Sequence, residues 1–145
     1  MNNGNTVTAK IALALVVPQE EATIPLVSTF SYAKDDPYAV RIAFHVGLDR
    51  PVEWNFAREL LSEGIDGPQG LGDVRVWPSA PLKASLAATL LNVQLSSPAG
   101  RAEFTAPIRM VDDFLRRTYD LVPAGRESTC IDLESGLARL LREVS

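Results

Sequence analysis

From residue 38 the chain sets an apolar residue at every second position: Tyr38, Val40, Ile42, Phe44 and Val46. A period of two marks a strand with one buried face. Pro37 disfavours helix at Asp36 and opens that strand. Turn residues 47–51 follow, and Val52, Trp54 and Phe56 resume the alternation with Glu53 and Asn55 on the other face. The period then changes: residues 58–63 predict a short helix that Gly64 ends as a C′ residue. A loop spaced by glycines, 65–72, leads to a strand over 73–78 that Pro78 stops.

The same reading extends to both sides. Residues 6–17 form a strand with Val7, Ala9, Ile11, Leu13 and Leu15 on one parity. From Ile11 on the other parity is apolar too, which predicts partial burial on both faces. Residues 23–32 form a second strand, and Pro25 suits an edge or a strand start. Residues 82–95 are ambiguous: helical by propensity at first, alternating at the end, and taken here as one strand. Residues 96–100 make a hairpin loop and 101–106 the returning strand. Pro107 suits the first turn of a helix. Ile108, Val111, Phe114, Leu115, Thr118 and Tyr119 make its apolar stripe. Asp112, Asp113, Arg116 and Arg117 are assigned to its solvated side, in i,i+4 pairs of favourable sign. Residues 122–125 break the helix, and Asp132 caps a last one whose stripe is Leu133, Leu137, Leu140, Leu141 and Val144. The count is about seven or eight strands followed by helices, a pattern that predicts α+β with antiparallel pairing in one domain over 1–145.

Three runs stand in order near the middle of the chain: Asp36-Pro37-Tyr38-Ala39-Val40, Val52-Glu53-Trp54-Asn55-Phe56-Ala57-Arg58 and Gly72-Asp73-Val74-Arg75-Val76-Trp77-Pro78. Together they resemble the SsgA-like proteins of sporulating actinomycetes. The Ser96-Ser97-Pro98 step and the helix after Pro107 extend the resemblance over most of the chain; 79–91 matches least. The resemblance implies an α+β, whirly-like fold with two antiparallel four-stranded sheets and packed helices, one short mid-chain and two C-terminal. It also implies a homotrimer and a non-enzymatic role in sporulation-specific septation, in the cytoplasm at the septum. The implied partners are the tubulin-like ring protein FtsZ and SsgA-like paralogues.

Composition narrows the field of alternatives. The chain has 145 residues, 46% hydrophobic and 22% charged, with a net charge of −4. Residues 1–100 carry 7 basic and 10 acidic groups and residues 101–145 carry 7 and 8, so neither part is a polycation. That argues against the alternative of a whirly-like single-stranded nucleic-acid binder, which needs clustered cations. Cys130 is the only cysteine, so an internal disulfide and a cysteine-based metal cluster are excluded; it reads as a structural thiol. The start of the chain lacks the basic region of a signal peptide. The apolar run 11–17 is far shorter than a bilayer span.

Candidate chemistry is sparse. His45 is the only histidine and has no nucleophile motif to serve. The pairs Glu20-Glu21, Asp35-Asp36 and Asp112-Asp113 do not converge, because neighbouring side chains diverge on a strand or helix. The glycine loop lacks the Lys-Ser/Thr pair of a phosphate loop. No catalytic, metal or cofactor residue is assigned. The residues assigned to partner contact are Gly67 and Gly70 in the loop, Arg75 and Trp77 on the following strand, and Arg116 and Arg117 on the helix. Trp77 falls on the parity opposite Val74 and Val76, where an exposed ring beside Arg75 can stack on a base or on a partner side chain.

Overall fold

The protein was analysed as a computed structural model that describes residues 4–17, 20, 22–47, 50–79 and 89–130. Eight strands are formed: β1 (Thr6–Val17), β2 (Ala22–Ala33), β3 (Asp36–His45), β4 (Val52–Ala57), β5 (Gln69–Leu71), β6 (Val74–Pro78), β7 (Leu90–Ser97) and β8 (Gly100–Pro107). Helix α1 (Arg58–Asp66) joins β4 to β5, and α2 (Ile108–Leu121) follows β8. A 3-10 turn, Glu127–Cys130, follows α2. The last helix expected from 132 on lies outside the described residues, as does the 80–88 part of the ambiguous stretch.

All eight strands belong to one antiparallel sheet in the order β4-β3-β2-β1-β8-β7-β6-β5. The expected pair of four-stranded sheets is therefore corrected. Each half is a four-stranded meander, but β1 and β8 pair at Ala14↔Thr105 and Leu15↔Phe104 and fuse the halves. Two separate sheets would leave four edges of unpaired backbone; fusion leaves two. The sheet is strongly curled. Phe44 on β3 and Phe104 on β8 are three strand positions apart, about 14 Å in a flat sheet. Their ring centroids lie 5.2 Å apart, edge to face.

The concave face holds the core. Val7, Ile11, Phe30, Val40, Ile42, Phe56, Val76, Val93 and Phe104 are all 2% exposed or less. Helix α2 lays its stripe on this face, with Ile108, Val111, Phe114, Leu115 and Thr118 buried and Phe114 edge-on to Phe30 at 5.6 Å. Helix α1 buries Leu60 and Leu61.

Local expectations fail where tertiary contacts intervene. Gly64 does not end α1; it lies within it, buried, and a Cβ there would overlap Val76 Cγ1. The glycine is needed for close approach of helix to sheet, and Gly67 takes the C-cap position instead, its N–H donating to Glu63 O at 3.2 Å. The glycine loop also contains regular structure: α1 runs to Asp66, and β5 pairs with β6 around a turn where Gly72 has φ +59°. Tyr38 and Val46 are not core, being 53% and 44% exposed. A register shift between Ser31 and Ala33 displaces the start of β3, and Tyr32 is buried there, its hydroxyl donating to Pro37 O at 2.8 Å. Pro25 sits in an interior strand, yet β3 pairs with β2 only as far as Val27 at that end. On that side residues 22–26 behave as an edge, and the missing N–H of Pro25 costs no bond to β3.

Candidate partner-binding surface

Strand alternation sends residues next to the core ones to the convex face. On β6, Val76 is buried, so Arg75 and Trp77 lie on the convex side, Arg75 exposed and Trp77 half-buried. The register sets Arg75 between Gly70 on β5 and Gln94 on β7, with Gln94 opposite Glu103 on β8. Arg101, opposite Ser96, shares this face. A cleft of about 590 Å³ results, lined by Gln69, Gly70, Arg75, Trp77, Gln94 and Arg101 among others. Asn92, opposite Trp77 in the register and on the same face, donates from Nδ2 to the Trp77 carbonyl at 3.2 Å. Gly70 has no side chain to cover Arg75, and an added Cβ there would sit against the Arg75 stem.

Of the residues assigned from the sequence, Gly70, Arg75 and Trp77 are thus brought together. Gly67 caps α1 just before β5. Arg116 and Arg117 lie elsewhere, on α2, which packs on the concave side, and they diverge from each other. Arg116 is exposed and pairs with Asp112 at 2.9 Å. Arg117 is half-buried, its Nη1 donating to the Thr8 carbonyl at 3.4 Å, while its buried Nε has no partner among the described residues. Arg117 therefore belongs to the helix–sheet contact and not to a solvated face.

Two features escaped the sequence reading. Arg101 joins the cleft through the β6–β7–β8 register, which no local pattern reveals. Arg58 is 1% exposed at the start of α1. Its guanidinium lies between the rings of Tyr32 and Tyr119, 4.9 and 4.0 Å from their centroids. Nη1 donates to the carbonyls of Thr118 and Val122 at 3.1 and 2.8 Å, and Nη2 to Glu127 Oε1 at 2.9 Å. It satisfies the Val122 carbonyl beyond the end of α2 and adds a second donor to the Thr118 carbonyl, which already accepts the Val122 N–H at 2.9 Å. The Glu127 carboxylate is held below its ordinary value by its own backbone N–H and by the Arg58 guanidinium. The only signal was Arg58 itself at a helix start, where an arginine is usually solvated.

Elsewhere the chemistry is dispersed. His45 is exposed, its Nε2 2.9 Å from Thr29 Oγ1. No cluster of three or more metal-ligating side chains occurs among the described residues. No helix among them is long and apolar enough to cross a membrane. At the far end of the concave face a second depression of about 440 Å³ is apolar, lined by Leu15, Leu26, Phe44, Val46, Trp54 and Phe104 among others.

A family model described as Streptomyces sporulation and cell division protein, SsgA, matches residues 26–127. The chain belongs to the SsgA family. It is 49% identical over 140 residues to the sporulation-specific cell division protein SsgB of Thermobifida fusca, covering 97% of this chain and 98% of that protein. SsgB of Streptomyces coelicolor is 44% identical over 138 residues, covering 95% and 97%. The crystal structure of an SsgA-like sporulation-specific cell division protein from T. fusca superposes with a TM-score of 0.81 at 48% identity, over 96% of this chain and 98% of that one. A solved structure from work on SsgB mutations that correlate with longitudinal cell division in S. coelicolor gives 0.78 at 42%, over 90% and 100%. The resemblance read from the three sequence runs is thereby borne out. This SsgA-family chain is a protein of sporulation-specific cell division, and that role, not nucleic-acid binding, is the one its relatives support.

Proposed function

We propose that the chain is a non-enzymatic adaptor of sporulation-specific division. It works at the septum, docks on FtsZ or on an SsgA-like paralogue, and promotes septum formation. The observation that carries this reading is where the unpartnered groups lie. The convex cleft gathers Arg75, Trp77 and Arg101, whereas His45 and the acidic residues form no cluster of three or more among the described residues. A homotrimer presents such a cleft three times, and effective concentration then makes weak contacts useful along a filament. The apolar surface at Val46, Val52 and Ile24, between 44 and 50% exposed, supports assembly, since contiguous apolar patches on lone soluble chains are normally small.

Sedimentation of FtsZ under polymerising conditions, with and without the protein, tests the adaptor. Added protein is expected to raise the pelleted fraction, and Trp77→Ala to weaken the effect while the fold is kept. Unchanged pelleting, with no septal partner co-purifying from sporulating cells, overturns the reading.

A further inference from the structure

We infer that the convex cleft between β5 and β8 is a receptor for an acidic, extended peptide segment of the partner. This rests on the adaptor reading above and names the chemistry by which the adaptor would recognise its target. Arg75 and Arg101 are both exposed, and among the described residues neither guanidinium takes part in an ion pair or a hydrogen bond. The chain has a net charge of −4, so an unneutralised pair of arginines on one face runs against its overall charge. Planar guanidinium forks suit carboxylates, which they bind through paired hydrogen bonds.

The register supplies a spacing. Arg75 and Arg101 are two strand steps and about two residues apart, roughly 12 Å between backbones. Acidic side chains four residues apart on one face of an extended segment span about 13 Å. Trp77 lies two residues beyond Arg75 on the same face, away from Arg101, and offers its ring to an apolar side chain two positions past the second acid. Gln94 adds a neutral donor and acceptor along the path. Beside the cleft, β5 is an edge strand whose three residues are all exposed, open to backbone pairing with an extended chain. A nucleic-acid strand fits less well. Two arginines neutralise few phosphates, and a sheet edge offers a phosphate backbone no ladder.

The test uses the full chain and a dye-labelled peptide with two Glu four positions apart and a Leu two positions on. Its partner probes are the same peptide with Lys for Glu and a single-stranded oligodeoxynucleotide of equal length. Anisotropy titration at physiological salt is expected to give the Glu peptide at least tenfold tighter binding than the Lys peptide. Combined Arg75→Glu and Arg101→Glu should reverse that preference, because like charges now face each other. Arg116→Glu, on the other face, should leave it unchanged. Should the double reversal lower the melting temperature, Arg75→Gln with Arg101→Gln decides in its place by abolishing the preference. Equal binding of the two peptides, a preference that survives the double variant, or displacement of the Glu peptide by the oligonucleotide each overturns the inference. FtsZ pelleting by the same proteins separates the two readings. A wild-type chain without effect defeats the adaptor and leaves the peptide preference to stand or fall alone. A double variant as active as wild type removes the cleft from the contact.

Discussion

Arg58 makes three hydrogen bonds from one buried guanidinium. One fork ties the first turn of α1 to the end of α2 and to the following 3-10 turn, with two tyrosine rings covering it. Arg58→Ala takes the side-chain donor from the Val122 carbonyl and the ion-pair partner from Glu127, and should cost about 3 kcal/mol in urea unfolding. Arg58→Lys should recover little, since an ammonium cannot hold three acceptors arranged for a planar fork. The pH dependence has a definite sign. The folded pKa of Glu127 is depressed below its ordinary 4.5. Its contribution is therefore present above that value and lost as pH falls through the lower folded value. Acid titration of wild type should show that loss, and Glu127→Gln should flatten it. The two neighbouring arginines of α2 should also differ in an unfolding experiment. Arg116→Glu exchanges one exposed contact for another environment in water and should stay within about 0.5 kcal/mol. Arg117→Glu sets a carboxylate against the Thr8 carbonyl and should be clearly destabilising.

At the scale of elements, α1 shows how close packing rewrites local grammar. A glycine after a short apolar-polar run reads as a helix end. Gly64 is instead the point where α1 touches β6, and the helix continues because its next turn is supported there. Gly64→Ala should destabilise by about 1–3 kcal/mol, as overpacking does, and pairing it with Val76→Ala should return part of that loss. A double-mutant cycle by thermal unfolding measures the coupling. In α2 no such conflict arises. All five of its buried residues belong to the stripe written in the sequence, and Phe114→Ala should cost about 3–5 kcal/mol.

For the whole molecule, one continuous curled sheet replaces two. The curl brings Phe44 and Phe56 against Phe104 across the intervening strands, at 5.2 and 6.5 Å between ring centroids. It leaves the far end of the concave face open and apolar. We expect that end to be covered by assembly, and light scattering at micromolar concentration should report a trimer; a monomer there overturns that part of the proposal. Val52→Asp, at an exposed position on β4, should shift the assembly toward smaller species if this rim is the contact, with the strand content unchanged by circular dichroism.

Period and punctuation made the elements legible from the chain alone. The alternation over 52–56 and the stripe from Ile108 to Thr118 needed no neighbours to be read, because each reports which side of one element is dry. The three runs in order likewise carried family membership, since they are words written in the chain. Tertiary structure alone decided how many sheets those strands make, because β1 and β8 meet through a long-range pairing with no local signature. It alone decided that Arg58 is buried, Tyr38 exposed and Gly64 internal, each being settled by what another element places opposite. The cleft is of this second kind: Trp77 and Arg75 announce themselves as neighbours on a strand, but Arg101 stands beside them only because a hairpin folds it back by a register that backbone pairing sets.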